Sequence, residues 1–260
     1  MQKIISILFA LTVIFCGTNV DAKTTKKSTG KKKTSTTSSQ GIKKGAINTY
    51  GDYLKTQTFT IEKGDNGKIV VEYPISGDTK LVKSIRTHIK DCINRDYKGS
   101  LESPDGLLRS AMKWVGREDR FYSDIKVIYS TPKLITFETT GYEQSGGAIH
   151  GVGYNTSATF IVATGQEFDE SMLPDFDEIY DYILEALARD RETTVYELTQ
   201  RDLYEDSLTD YGVVYITEDG LNVHYQPYDL ADYMTGSFHG VIPIEEVYDI
   251  LPEKTRRLLE

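Results

Sequence analysis

The chain has 260 residues with 30 basic and 39 acidic side chains, a formal charge of −9. That charge is unevenly spread: residues 1–44 hold nine lysines and one acid, Asp21, which leaves 21 basic and 38 acidic residues, a balance of −17, in 45–260. Such a field repels phosphate backbones and draws in cationic partners, so it argues against nucleic-acid binding and for a basic partner.

The first 22 residues have the layout of a secretory signal: Lys3, an apolar run from Ile4 to Phe15, then Val20-Asp21-Ala22 with small or modest side chains. The run is too short for a helix that crosses a bilayer, which needs about 20 residues. Cleavage after Ala22 is expected, with lipid attachment at Cys16 as the alternative. After cleavage Cys92 is the one cysteine left, and its place in an apolar helical stripe makes it a buried structural residue. Residues 23–49 follow as a basic linker; the Lys, Thr, Ser and Gly of its first two-thirds bury too little to offset the entropy of ordering.

From Tyr50 onward the pattern is globular. Phe59–Glu62 and Lys68–Tyr73 read as strands joined by a turn at Gly64/Gly67. Leu81, Ile85, Ile89 and Cys92 recur at helical spacing. A second helix begins at Ser103-Pro104-Asp105 with Leu107, Leu108, Ala111, Met112 and Val115 inward, Ser103 capping and Pro104 opening it. The period then changes to two in Ile125–Tyr129 and Leu134–Phe137, an antiparallel pair around Thr131-Pro132. Tyr154–Ala163 is a further strand ended by Thr164-Gly165, and Asp175–Arg189 is a helix. Strands are expected at Gly212–Thr217, Leu221–Tyr225 and Phe238–Ile242, with a closing helix over Glu245–Leu251. Strands outnumber crossover helices, so the expected class is α+β with mostly antiparallel sheets. We divide it into two intimately joined subdomains, 50–165 and 166–260.

Two segments stand apart from generic text. One is Tyr142-Glu143-Gln144-Ser145-Gly146-Gly147-Ala148-Ile149-His150-Gly151, followed by Tyr154-Asn155 and Ala163-Thr164-Gly165. The other runs from Asp219 through Gln226-Pro227-Tyr228-Asp229-Leu230-Ala231-Asp232-Tyr233-Met234-Thr235-Gly236 to Val241-Ile242-Pro243-Ile244. Their order and separation resemble the RsiV-like family (domain of unknown function 3298 with its N-terminal companion) over about residues 56–252. That family occurs in lysozyme-sensing anti-sigma factors and beside the catalytic part of some peptidoglycan deacetylases. Ile149 departs from its pattern by separating Ala148 from His150. The resemblance implies a stand-alone extracytoplasmic module. Some relatives bind lysozyme, a strongly basic protein.

Each residue singled out also has a plainer reading. Gly146 and Gly147 either shape a binding loop that presents Ser145 or make a tight corner required by the fold. Pro227 stiffens the second segment. Tyr228 and Tyr233 have the apolar body and polar tip favoured at recognition surfaces, and equally suit core packing. Of the four histidines, His88 falls at a core boundary, His224 in a strand, and His150 and His239 in Gly-flanked segments. None has the spacing of a helix-borne zinc site, so no metal or other cofactor is expected. Ser145 lacks the surroundings of a nucleophile elbow, and the acids Asp175/Asp177 and Asp202/Glu205/Asp206 read as solvated faces.

The resulting expectation is an exported, periplasmic or cell-surface binding module without catalytic residues. Its contact set is Ser145, Gly146, Gly147, His150, Pro227, Tyr228 and Tyr233, and its partner is a cationic protein such as a lysozyme or a peptidoglycan-related ligand. The alternatives are a wall-modifying hydrolase with a dispersed site built on His150 or His239, and a structural interaction protein.

Overall fold

A computed structural model describes residues 41–204 and 207–260. The expected signal peptide, Cys16, most of the expected linker, and Glu205 and Asp206 lie outside the described residues. Helices and two sheets make an α+β fold. The larger sheet has seven strands: β1 (Lys43–Tyr50), β2 (Leu54–Lys63), β3 (Gly67–Gly77), β4 (Arg120–Ser130) and β5 (Leu134–Gln144) in that order, then β6 (Val152–Asn155) and β7 (Ala158–Ile161), which both pair with β5. All pairings are antiparallel except β3 with β4. That parallel step is bridged by helices α1 (Thr79–Asn94) and α2 (Asp105–Trp114), as a crossover requires.

The helices form where the apolar spacing predicts. Asp78 caps α1 by accepting from the amides of Lys80 and Leu81. At the start of α2, Ser103 Oγ accepts from Asp105 N at 3.3 Å, with Pro104 already in helical conformation. Leu81, Ile85, Ile89 and Ile93 of α1 and Leu107, Leu108, Ala111 and Met112 of α2 pack on Phe59, Ile61, Ile69, Val71 and Phe137 of the sheet. Buried Arg86 ties α1 to β3: its Nε and Nη2 donate to Pro74 O at 3.2 and 3.1 Å, and its guanidinium lies over the Tyr73 ring.

The smaller sheet has the order β10 (Phe238–Ile242), β9 (Gly220–Tyr225), β8 (Val213–Thr217), all antiparallel. Helix α3 (Phe176–Asp190) packs on it through Ile179, Ile183, Ala186 and Leu187, against Val223, Tyr225 and Phe238. Gly240 allows this approach, since a Cβ there would sit 3.0 Å from that of Ala186. Threonines join the two sheets: Thr136 Oγ1 lies 2.7 Å from Thr159 Oγ1 and donates to Ile216 O at 2.6 Å, while Ile216 N donates to Thr159 Oγ1 at 2.8 Å. Leu134 and Ile161 of the larger sheet contribute to the apolar cluster under α3.

Three boundaries differ from the sequence reading. The linker does not extend to residue 49, because Lys43–Tyr50 adds to the sheet edge as β1. Its low apolar content hides a pairing that rests mainly on main-chain groups, with Asn48 and Tyr50 reaching Glu72 of β3. The strand expected over Tyr154–Ala163 is two strands, broken where Asn155 Oδ1 accepts from both N and Oγ of Ser157 at 2.8 and 2.6 Å. The closing helix over Glu245–Leu251 is a short α5 (Ile244–Val247) followed, after Pro252, by α6 (Glu253–Leu259). The intervening α4 (Val195–Glu197) is a single turn.

The Thr164-Gly165 turn is built for glycine. Gly165 has φ +69°, and a Cβ there would lie 2.7 Å from the backbone carbon of Lys80 at the start of α1. Replacing Gly165 by alanine is therefore expected to cost about 2 kcal/mol or more in urea unfolding, combining left-handed strain with displacement of α1.

Candidate binding surface

The first marked segment is the loop between β5 and β6. It closes on itself: Ala148 N donates to Ser145 O at 3.0 Å and Gln144 Nε2 to Ala148 O at 3.1 Å. Asp119 anchors it from outside, its Oδ1 accepting from Gly146 N and its Oδ2 from Gly116 N, both at 2.7 Å. Those two amides hold the Asp119 carboxyl below the usual carboxylate range. A Cβ on Gly146 would meet that of Glu118 at 2.7 Å, and Gly147 has φ +85°. One glycine permits close approach and the other a left-handed corner. Past the corner Ile149 projects into solvent, 98% exposed, with exposed His150 beside it.

The second segment links β9 to β10. Pro227 opens a turn in which Asp229 N donates to Gln226 O at 3.1 Å and Gln226 N to Asp229 Oδ2 at 2.6 Å. Tyr228 sits inside it at φ +80°, a conformation bulky side chains seldom adopt. Leu230 and Ala231 are buried and anchor the segment. Asp232 then caps the next turn, its Oδ1 accepting from Thr235 N and Oγ1, each at 2.9 Å. Arg191, just past α3, clamps the far end: its Nη2 donates to Thr235 O and Ser237 O at 3.0 and 2.7 Å, and its guanidinium stacks 4.0 Å from the Phe238 ring centre.

The fold brings the two segments together. Asn155 N donates to Gln226 Oε1 at 3.0 Å, and Gln226 Nε2 returns a bond to Asn155 O. Tyr233 Oη donates to Gly151 O at 2.6 Å. The His150 ring stacks on Tyr233 with centroids 3.9 Å apart and planes 19° from parallel, and the Tyr228 ring centre lies 5.7 Å from that of Tyr233. Thus His150, Tyr233 and Tyr228 form one aromatic row. Ile149 flanks it, with Met234 at 88% and Tyr228 at 54% exposure, and exposed Asp229 and Asp232 alongside. The Ile149 insertion does not remove His150 from this row; Ile149 points outward and the imidazole reaches Tyr233. Ser145, Gly146 and Gly147 stand at the opposite end of the same loop, beside Asp119. Met234 was not singled out in the sequence, and Ile149 was noted only for separating Ala148 from His150, although an isolated large apolar residue in a Gly-rich polar stretch is a readable signal.

The residues that a hydrolase would use are arranged otherwise. His150 is committed to Tyr233. His239 places Nε2 3.0 Å from Asn222 Oδ1 and Nδ1 3.6 Å from Asp190 Oδ1, at the edge strand of the smaller sheet. Neither imidazole lines the two clefts described here, one of about 540 Å³ between α1 and Thr164–Glu167 and one of about 300 Å³ near Trp114. Cys92 Sγ lies 3.5 Å from His88 Nε2. Burial pushes the thiol up to about 11 and the imidazole down to about 4. At neutral pH the pair is therefore thiol and neutral imidazole, not the thiolate–imidazolium couple of a nucleophile. Among the described residues no group of three or more His, Cys, Asp or Glu side chains is placed to hold a metal ion.

These features define an α+β protein of two joined sheets that presents a loop-built aromatic surface. Residues 169–245 match the family described as a protein of unknown function, DUF3298. That match contains the second marked segment and α3. A DUF3298 family member from Bacteroides fragilis has a similar fold, with a TM-score of 0.66 and 17% identity over 82% of this chain and 98% of the other. A second, from Pseudomonas aeruginosa PAO1, has a TM-score of 0.57 and 13% identity over 78% and 97%. No curated protein matches the chain. No helix among the described residues is long and apolar enough to cross a membrane.

Proposed function

We propose that this protein is an exported, non-catalytic binding module of the cell envelope, and that the row His150–Tyr233–Tyr228 is the centre of its contact surface. The observation that carries this reading is the stacking of two segments about 80 residues apart in the chain into one exposed aromatic row. Rigid aromatic side chains lose little conformational entropy on binding and dominate recognition surfaces. Hydrogen bonds from Tyr233 to Gly151 and from Arg191 to Thr235 hold the row in place before any partner arrives.

The partner that fits is a basic protein. The −17 balance of residues 45–260 steers cations toward the surface, and Asp229 and Asp232 supply acceptors at its rim. The RsiV-like resemblance narrows this to a lysozyme-like partner. Titration with a c-type lysozyme tests it: binding should weaken as salt rises from about 50 to 150 mM, where screening shortens. Replacing Tyr233 by alanine should weaken binding roughly 30-fold or more, the usual scale for a central aromatic anchor. Absence of binding at low salt, together with undiminished wall lysis, would remove the lysozyme reading.

A further inference from the structure

Trp114, the chain's single tryptophan, is 80% exposed at the last residue of α2. Single exposed apolar side chains are common, so the observation that matters is what lies beside this indole and how it is mounted. The mount is rigid: Val115 after it and Met112 two residues before it are buried, and Lys63 Nζ donates to the carbonyls of Met112 (2.8 Å) and Val115, capping the helix end. Beside the indole opens the cleft of about 300 Å³, large enough for one or two sugar rings.

The rest of the lining is mixed: Ile93, Ala111, Val115 and Phe121 are apolar, and the other residues are polar. Asn94 comes from the end of α1, and Arg120, Glu143, Gln144 and Ser145 come from the paired ends of β4 and β5, where Arg120 stands opposite Gln144. Asp119 bonds Gly116 on the tryptophan side and Gly146 on the other, so one carboxylate fixes the separation of the two walls.

We propose that this cleft binds a short oligosaccharide of hexopyranose units, with one ring lying on the Trp114 indole. A pyranose has an apolar face of axial C–H bonds and a perimeter of hydroxyls. It therefore asks for a flat aromatic surface ringed by donors and acceptors, which Trp114, Arg120, Glu143 and Asn94 together supply. The inference is independent of the basic-protein reading, since the aromatic row and this cleft share only the loop that joins them.

The single tryptophan makes the test direct, because its emission reports this cleft alone. The full chain is titrated with β-1,4-linked tetrasaccharides of N-acetylglucosamine and of glucose, up to about 10 mM. With at least one sugar we expect a saturable emission change with a midpoint on the order of 0.1–1 mM, the range of a small polar contact. The double variant Arg120→Ala/Glu143→Gln, which keeps the reporter, should move that midpoint at least about tenfold. Trp114→Ala should abolish heat of binding in calorimetry while retaining the wild-type thermal midpoint, and Tyr233→Ala should bind sugar normally. Flat emission with both sugars overturns the proposal. So does a change that the double variant leaves intact, or an emission shift that follows protein concentration without sugar, which marks Trp114 as a self-association contact.

Discussion

Replacing Glu72 by alanine should lower the thermal midpoint by roughly 10 °C, the largest expected effect of any single polar substitution in the larger sheet. Glu72 is only 6% exposed on β3, and it has no salt-bridge partner among the described residues. Four donors converge on it instead: Asn48 Nδ2 at 2.8 Å, Tyr50 Oη and Thr56 Oγ1 at 2.5 Å each, and Val127 N at 3.1 Å. They come from β1, β2 and β4, so one carboxylate binds four adjacent strands. Burial and the neighbouring Glu72 push the Tyr50 hydroxyl well above the ordinary phenol range, which keeps it a donor at every working pH. Alanine would orphan all four donors, and leaving buried polar groups unsatisfied costs about 1–3 kcal/mol each, offset in part by water entering along the exposed β1. A net loss on the order of 3–5 kcal/mol follows. Differential scanning calorimetry at pH 7 checks it, and a drop under 2 °C would mean that Glu72 does not join these strands.

Acidification from pH 7 to pH 5 should be as damaging. Burial holds His88 down to about 4, against minor opposing contributions from Asp91 and Thr156. Burial, then neighbouring His239, holds His224 down to about 4, against Asp190. An unfolded histidine titrates near 6.5, so between these values the unfolded chain binds more protons than the folded one, and stability is lost as pH falls. Each imidazole is expected to remove about 2 kcal/mol between pH 7 and 5. For a domain of this size the two together lower the midpoint by roughly 8–15 °C. Glu167, raised by burial and by Asp169 and Asp91, works in the opposite direction but only nearer the carboxylate range. Carboxyls held low, such as Asp119 and Asp232, add their losses only at still lower pH. In thermal melts across this range, His88→Asn should halve the slope. A midpoint flat from pH 7 to 5 would show that neither imidazole is held neutral.

Much of this architecture was readable before any coordinates. Leu81, Ile85, Ile89 and Ile179, Ile183, Leu187 announce helices because a helix that buries one face must repeat its apolar residues at that spacing. Strand β1 was not readable, since Lys43–Tyr50 has little apolar content and is held by main-chain bonds to β2 and by Asn48 and Tyr50 reaching Glu72. Nor was the break in the strand after Asn155, which depends on a local side-chain bond to Ser157. Trp114 drew no notice, because periodicity says which residues are able to pack inward and not which are left outside.

The sequence by itself determined the class of fold, the anionic character of residues 45–260 and the two segments marked by glycine and tyrosine. These properties are local or additive, so they survive without knowledge of where the chain goes. Only the tertiary structure decided that His150 lies on Tyr233, that Asp119 holds the Gly146 loop, and that Glu72 gathers donors from three other strands. Each of these depends on strand order and register, which arise from burial summed over the whole sheet and are written at no single position.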